Sequence, residues 1–194
     1  MKNINLILAS SSPQRLELLK KINIVPDKVV PAKIEETPSK GEKPRDFVIR
    51  MSKEKALNVS KQFKDSYILS GDTIVSVGRR IIGKPSNKAE AENYLNLLSG
   101  RRHRVFSAVT LIAPDKKEMT KVALTRVKFS RLNKNDLHEY IKTNEWKGRA
   151  GGYAIQGKAS AFIPWINGSY TGIVWFPVNE VKNLLSSSGW KFFK

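Results

Sequence analysis

The first half of the chain alternates short apolar runs with stretches of helical spacing. A strand is predicted over Asn5 to Ala9, and it is followed by a tight polar turn and a helix whose leucines recur at helical spacing. Lys28 to Pro31 can form a second strand, and the prolines, glycine and charges after it indicate a loop. A second helix is predicted next, with an apolar stripe made of Phe47, Met51, Ala56 and Val59.

The longest apolar stretch, Tyr67 to Val77, predicts a strand with an unusual feature. It is interrupted in its middle by the polar segment Ser70 to Thr73. Gly78 and Arg79 suit a hairpin turn, which leads into a short strand at Ile81 and Ile82.

The middle of the chain predicts one helix and one β-hairpin. Asn87 is the predicted N-cap of the helix and Gly100 its C-terminal stop. Two long β-type stretches follow, roughly His103 to Ala113 and Thr120 to Phe129, and the turn Pro114 to Lys117 joins them. Because the connection is short, we expect the two strands to pair antiparallel.

The last third is less regular. Asn133 or Asn135 can begin a helix, and a glycine-rich stretch after it is too irregular for a helix or a strand. Ala161 to Ile166 is predicted as a strand, the pair Asn167-Gly168 as a turn, and Pro177 as the start of the last helix.

Strands and helices therefore mix without strict alternation. The 194 residues fit one domain, and no internal repeat or linker divides them. We predict an α/β fold with a mixed twisted sheet, in two lobes around a central cleft.

Composition limits the classes of function and partner. The chain has no cysteine, which excludes disulfides, cysteine-based zinc sites and thiol nucleophiles and fits a reducing cytoplasm. No signal-peptide pattern or membrane-spanning apolar segment is present in the sequence, so we predict a cytoplasmic protein. A net charge of +18 favours polyanionic partners, although basic clusters without interleaved aromatics are more typical of solvated surface than of a specific nucleic-acid interface.

Several polar segments at strand ends or in loops could bind a phosphate chain through a divalent metal. The turn that contains Ser10 and Arg15 offers helix N-terminal amides and charge-assisted donors. Magnesium prefers hard oxygen ligands, for which Glu35, Glu36 and Asp72 are candidates. A carboxylate beside the metal could also take the proton from an attacking water.

Each of these segments also has a plain structural interpretation. The Ser-Ser-Ser-Pro turn is more often a helix cap, a Gly-Lys-Pro turn is usually only a turn, and Glu35-Glu36 in a lysine-rich loop is usually solvated. Asp72 differs, because a charge within a strongly apolar strand is costly without a purpose.

Six stretches, taken in order, resemble the motif series of the Maf family of nucleotide pyrophosphatases. They run from residue 6 to about residue 178 and read LILASSSPQRLELL, SGDTIV, IIGKP, LSGRRHRVFSAV, GGYAIQGKASAF and INGSY. The resemblance implies hydrolysis of a nucleoside triphosphate between the α- and β-phosphates, with Mg²⁺, Mn²⁺ or Co²⁺ as cofactor. It also implies a fold similar to that of the inosine triphosphate pyrophosphatases, and it leaves a homodimer open.

The resemblance also implies roles for individual residues. Asp72 takes the position of the catalytic base, and Glu36 and Asp72 are the implied metal ligands. The catalytic set is Asp72, Glu36 and Lys84. The implied substrate-binding residues are Ser10, Gln14, Arg15, Lys55, Thr73 and Gln156.

Thr73 and Gln156 further resemble the branch of the family that acts on dTTP and UTP. One departure is Gln14, which stands where that branch usually has the first of two arginines. The alternatives are a pyrophosphatase that prefers 7-methyl-GTP, a nucleic-acid-binding module, and a regulator of cell division. We favour the enzyme, because the residues that the resemblance requires are present: Asp72, Glu36, Lys55 and Lys84. We expect only weak, non-specific binding of nucleic acid.

Overall fold

A computed structural model describes residues 5–190 of the chain. Its strands are β1 (Leu6–Ala9), β2 (Lys28–Val29), β3 (Tyr67–Val77), β4 (Arg80–Ile82), β5 (Arg102–Ile112), β6 (Glu118–Lys128) and β7 (Trp165–Asn167). Its helices are α1 (Pro13–Lys21), α2 (Pro44–Ser60), α3 (Lys88–Leu98), α4 (Lys134–Lys142), α5 (Tyr170–Val174) and α6 (Val178–Ser187). Two short 3₁₀ helices span Ala150–Gly152 and Lys158–Phe162.

The strands form one mixed sheet in the order β2-β1-β3-β5-β6-β7, and β4 pairs with β3 outside this path. β1 runs parallel to both β2 and β3, whereas β5, β6 and β7 join by antiparallel pairing. The prediction of a mixed α/β sheet is therefore confirmed, as is the antiparallel β5–β6 hairpin. That the chain is one domain stays a prediction.

Local signals fixed the helix starts where a side chain caps the helix. The side-chain oxygen Oδ1 of Asn87 accepts a hydrogen bond from the backbone N–H of Glu90. Asn133, rather than Asn135, is the N-cap of α4, and it forms a reciprocal capping box with Asp136. Gly100 follows α3 with a φ of +70°, a conformation that glycine adopts without steric cost.

Alternation along β3 sends its polar residues to opposite faces of the sheet. The Ser70 hydroxyl donates to the carbonyl of Ser52 in α2, and Asp72 points to the same face. Thr73 points to the other face, where its hydroxyl lies 2.6 Å from that of Ser107. The single polar interruption in the sequence thus serves two sides of the sheet.

A gap in the pairing of β3 creates the opening for a site. On the side of β3 away from β5, β1 pairs with β3 up to Ser70, and β4 pairs with it from Val75 onward. Within the described residues, neither neighbour pairs with positions 71–74. The carboxyl ends of β1 and β4 both face this gap, and a crevice where chain segments diverge from strand ends is a common ligand site in open α/β sheets.

The hydrophobic core is divided along the strands. One cluster packs α1 and α6 against the β1 end of the sheet, and two smaller ones lie beneath α2. Another packs α3, α4 and the 3₁₀ segments around Val75, Ile82 and Val105. Along β3, the first and the last of these clusters lie on opposite sides of the gap.

One predicted strand is wrong over most of its length. Ala161 and Phe162 belong to a 3₁₀ helix, and the strand begins only at Trp165. Here the backbone forms local i to i+3 hydrogen bonds instead of pairing with another strand. They run from Ser160 N to Gly157 O and from Ile163 N to Ser160 O. An apolar run of six residues cannot by itself distinguish these conformations. The five-residue helix α5, whose N-terminus is capped by the Ser169 hydroxyl, was not predicted from the sequence.

Over residues 5–190, none of the helices combines the length and the apolar character needed to cross a bilayer.

Candidate active site

A cleft of about 740 Å³ opens at the gap in β3. One wall is the turn and first residues of α1, the floor is formed by β3 and α2, and the opposite wall comes from the segments after β4 and α4. Five cationic and two anionic side chains line it: Arg15, Lys55, Lys84, Lys147 and Arg149, and Glu36 and Asp72. The five cations suit the cleft to a polyanion, and the two carboxylates suit it to a cation that is bound together with that polyanion.

The centre of the cleft is a lysine held between two carboxylates. Lys55 Nζ lies 2.7 Å from Asp72 Oδ1 and 2.9 Å from Glu36 Oε1. The side chains of Lys55 and Asp72 are only 9% and 10% exposed, whereas that of Glu36 is 49% exposed. Lys55 and Asp72 thus form a buried ion pair in which each charge depends on the other, and the half-exposed Glu36 contributes less.

Helix geometry explains how Lys55 reaches this position. Residues at 48, 51, 52, 55, 56 and 59 form the buried face of α2, spaced three or four apart. A lysine on that face is directed at the sheet, where Asp72 is the acidic residue of β3. The packing of α2 against β3 therefore brings the residues at the centre of the site together.

The turn between β1 and α1 is organised by Ser10 and Arg15 rather than by a helix cap. Ser12 occupies the N-cap position, but its side chain makes no capping bond and instead donates to Gln14 Oε1. The buried Ser10 hydroxyl accepts hydrogen bonds from Ser12 N and from Arg15 Nη1. The interpretation of this turn as a side-chain cap is wrong, and first-turn amides of α1 are left without a capping side chain.

Arg15 is almost fully buried beside the cleft. Burial lowers the pKa of its guanidinium from the ordinary value, and the nearby carboxylates of Asp72 and Glu36 act in the opposite direction. Its Nε donates to the carbonyl oxygen of Trp175 at 3.2 Å. The guanidinium thus connects the α1 turn to the segment that follows α5.

The opposite wall carries cations on two segments that are joined to each other. Lys84 follows β4, and Lys147 and Arg149 follow α4. The backbone N–H of Gly151 donates to the carbonyl of Gly83 at 2.9 Å, which holds the two segments together. Gly151 has a φ of +74°, so this approach requires a residue that tolerates the left-handed region.

Most of the predicted site residues meet in this cleft. Those that line it are Gln14, Arg15, Glu36, Lys55, Asp72, Thr73 and Lys84. Ser10 lies directly behind Arg15.

Two candidates lie elsewhere. Gln156 is exposed and lines a separate small cavity of about 20 Å³, which shares Thr73, Ala150 and Trp175 with the main cleft. Glu35 lines a shallow surface groove, and its Oε1 accepts a hydrogen bond from the Thr37 hydroxyl. The expectation that Glu35 shares a metal site with Asp72 therefore finds no support in the geometry.

The donor set fits a divalent metal only as a two-carboxylate site. Glu36 and Asp72 both reach the Lys55 ammonium, so their oxygens converge on one region. Residues 5–190 contain no group of three or more His, Cys, Asp and Glu suited to a metal ion. Magnesium is often held by one or two carboxylates and completed by substrate phosphates and water, which is the kind of site these residues could supply.

Trp175 and Lys147 also line the cleft and were not predicted from the sequence. Trp175 lines both cavities, and its carbonyl accepts hydrogen bonds from Arg15 and from the Thr73 hydroxyl. The sequence does not mark it, because the short helix α5 that it ends was not predicted either. Lys147 follows the buried Trp146 in a turn, a context in which a lysine is usually solvated.

Comparison with known proteins gives consistent matches. The family described as Maf-like protein matches residues 5–188. A dTTP/UTP pyrophosphatase of Roseobacter denitrificans is 48% identical, with 95% of this chain and 97% of the relative covered. Proteins of the same description from Ruegeria sp. and Zymomonas mobilis are 47% and 46% identical and cover 97% and 96% of this chain, and 96% and 92% of the relatives.

Solved structures match over a smaller part of the chain. A HAM1 protein from Coxiella burnetii has a TM-score of 0.46 at 18% identity, with 66% of this chain and 74% of the other covered. A dITP/XTP pyrophosphatase from Mycobacterium abscessus has a TM-score of 0.41 at 18% identity, with 66% and 73% covered.

Proposed function

The chain belongs to the Maf family, and from this premise we propose that it hydrolyses dTTP and UTP to the nucleoside monophosphate and pyrophosphate. One observation carries the proposal: a buried Lys55 joins Glu36 and Asp72 at the floor of a cleft whose other charged lining residues are all cationic. A general base and a phosphate-binding surface therefore lie in one cavity. The enzyme is a nucleotide diphosphatase.

Charge complementarity supports a triphosphate as the substrate. A triphosphate carries about four negative charges near neutral pH, so its site needs cationic side chains and backbone donors. Arg15 and the first-turn amides of α1 are available on one wall, and Lys84, Lys147 and Arg149 on the other. We assign to Lys84 the role of stabilising the negative charge on the leaving pyrophosphate.

Asp72 is the proposed general base. In the part of the chain that the structure describes, only its Oδ1 takes part in a hydrogen bond, which leaves Oδ2 available to a water molecule. Asp72 accepts a proton as the water oxygen bonds to the α-phosphorus, and the bond from that phosphorus to the α–β bridging oxygen breaks. The electron pair leaves with pyrophosphate. Lys55 orients the Asp72 carboxylate through the ion pair between them.

Glu36 and Asp72 are the residues that would hold a magnesium, manganese or cobalt ion. When bound, such an ion would supply charge neutralisation and polarisation of the phosphoryl oxygens. The convergence of the two carboxylates on one ammonium supports this assignment.

The reaction is tested by product analysis. With divalent metal present, purified protein should convert dTTP or UTP to monophosphate and pyrophosphate in equal amounts, and excess EDTA should abolish the activity. Orthophosphate as the main product would contradict the proposal, and a panel of normal and modified triphosphates would rank the substrates.

Base selection is assigned to Thr73 and Gln156. A glutamine amide both donates and accepts, so Gln156 can pair with the donor-and-acceptor edge of uracil or thymine, whereas an ionised glutamate only accepts. We predict a higher kcat/KM for dTTP or UTP than for 7-methyl-GTP, and a Gln156→Glu variant that narrows or reverses this ratio. Gln62→Glu, an exposed substitution just after α2, is the control and should leave the ratio unchanged. A wild-type preference for 7-methyl-GTP would contradict the assignment while leaving the reaction type in place.

Three expectations about partners and compartment complete the proposal. The cytoplasm is the proposed location, supported by a sequence without cysteine. A homodimer stays a prediction. Nucleic acid is expected to bind only weakly through the surplus of positive charge, and to be released at moderate salt.

A further inference from the structure

Trp175 has a backbone conformation that a bulky side chain rarely adopts. It ends α5 with a φ of +135°, in the region that favours glycine. A glycine at this point would end the helix without steric cost. The presence of the largest side chain here therefore needs a reason other than helix termination.

The surrounding structure holds this conformation from both sides. The carbonyl oxygen of Trp175 accepts from Arg15 Nε at 3.2 Å and from Thr73 Oγ1 at 3.1 Å, and its N–H donates to the Thr171 carbonyl at 3.1 Å. The next residue, Phe176, is fully buried against Gly71, where an added Cβ would come within 2.6 Å of the ring. Strained conformations that are fixed in this way concentrate at functional sites.

The indole of Trp175 forms part of the cleft wall instead of filling the core. The residue is partly exposed, and it lines both the main cleft and the adjoining small cavity. The other aromatic residue of the cleft, Phe47, is 5% exposed and packs in the core beneath α2. Trp175 is thus the cleft aromatic with ring surface to offer to a ligand.

A planar group already packs on this ring. The Arg149 guanidinium carbon lies 5.2 Å from the ring centroid of Trp175. A guanidinium and a pyrimidine are both flat groups that pack on an indole face, so the contact marks a surface that a base can use. Thr73 and Gln156, the proposed readers of the base edge, line the same small cavity as Trp175.

We propose that the Trp175 indole is the stacking surface for the pyrimidine ring of the substrate. This rests on the proposed function, because it presupposes a nucleotide with its phosphates among Arg15, Lys55 and Lys84. The ring increases the affinity for the nucleoside half of the substrate, and Arg149 leaves this face of the ring when the base stacks on it. This stacking contact would explain why a Trp occupies the position despite its strained backbone.

The test compares Trp175→Gly and Trp175→Phe with the wild type. Gly accepts the backbone conformation, so Trp175→Gly should keep or raise the melting temperature while it raises the KM for dTTP about tenfold or more, with little change in kcat. Trp175→Phe keeps a ring and should recover most of the affinity. Inorganic triphosphate lacks a base, so its inhibition constant should be the same for the wild type and Trp175→Gly.

Fluorescence gives a readout that does not depend on turnover. The α,β-imido analogue of dTTP, added with Mg²⁺, should quench the tryptophan emission of the wild type and of Trp165→Phe, which changes an indole on β7 outside the cleft. The quench should be lost in Trp175→Phe. A wild-type KM in Trp175→Gly, a parallel rise in the inhibition constant of inorganic triphosphate, or an unchanged quench in Trp175→Phe would overturn the inference. Pyrophosphate release by the wild type would still stand in each case, whereas its absence would refute the proposed function itself.

Discussion

Replacing Asp72 with Asn is expected to lower kcat by about 10²-fold or more, because the amide keeps the shape of the side chain but cannot accept the proton of water. The fold should survive, since Asn can still accept a hydrogen bond from Lys55, which also retains Glu36 as an ionic partner. Steady-state kinetics with dTTP and UTP measure the effect.

The matched control is Asp65→Asn, an exposed aspartate just before β3 and outside the cleft. Its kcat should equal that of the wild type. If Asp72→Asn retained nearly full activity, the role of general base would pass to Glu36, the other carboxylate of the cleft.

Replacing Lys55 with Met should affect both activity and stability. The substitution leaves the Asp72 carboxylate buried without its closest cation, which we expect to lower the free energy of unfolding by about 1–3 kcal/mol. The substitution also removes an ammonium group that both orients the base and contributes positive charge to the phosphate site. We therefore expect kcat/KM to fall by about 10²-fold. Urea denaturation and kinetics measure the two effects separately.

A double variant separates the two roles of Lys55. In Lys55→Met with Asp72→Asn neither member of the Lys55–Asp72 pair is left as an unpaired charge, so much of the lost stability should return while the activity stays low. Lys53 lies on the same helix and pairs with Glu118, and its side chain is 43% exposed. Lys53→Met should therefore change the free energy of unfolding by less than about 0.5 kcal/mol. Equal destabilisation by Lys55→Met and Lys53→Met would contradict the buried ion pair.

Elements defined by local signals were predicted well from the sequence. The bounds of β3 were predicted as Tyr67 to Val77 and observed there, because a long apolar run needs no distant partner to be recognised. Asn87 and Asn133 marked helix starts because capping is a local interaction. The segment around Ala161 was predicted wrongly, since its 3₁₀ turn depends on packing that a six-residue apolar run does not encode.

The site was only partly visible in the sequence. Asp72 could be recognised as a charge within an apolar strand, and Lys55 also left a signal, because it falls on the buried stripe of α2. Glu36 could not be distinguished from its neighbour Glu35, since only the course of a long loop brings it to the Lys55 ammonium. Trp175 could not be found, because its positive φ is visible only in the folded backbone.

The central claim is that water, activated by Asp72, attacks the α-phosphorus and displaces pyrophosphate. Hydrolysis of UTP in ¹⁸O-labelled water, followed by mass spectrometry of the products, tests it most directly, because the oxygen from water stays on the phosphorus that was attacked. The account predicts one ¹⁸O atom in UMP and none in pyrophosphate. Label in pyrophosphate, or in released orthophosphate, would contradict it.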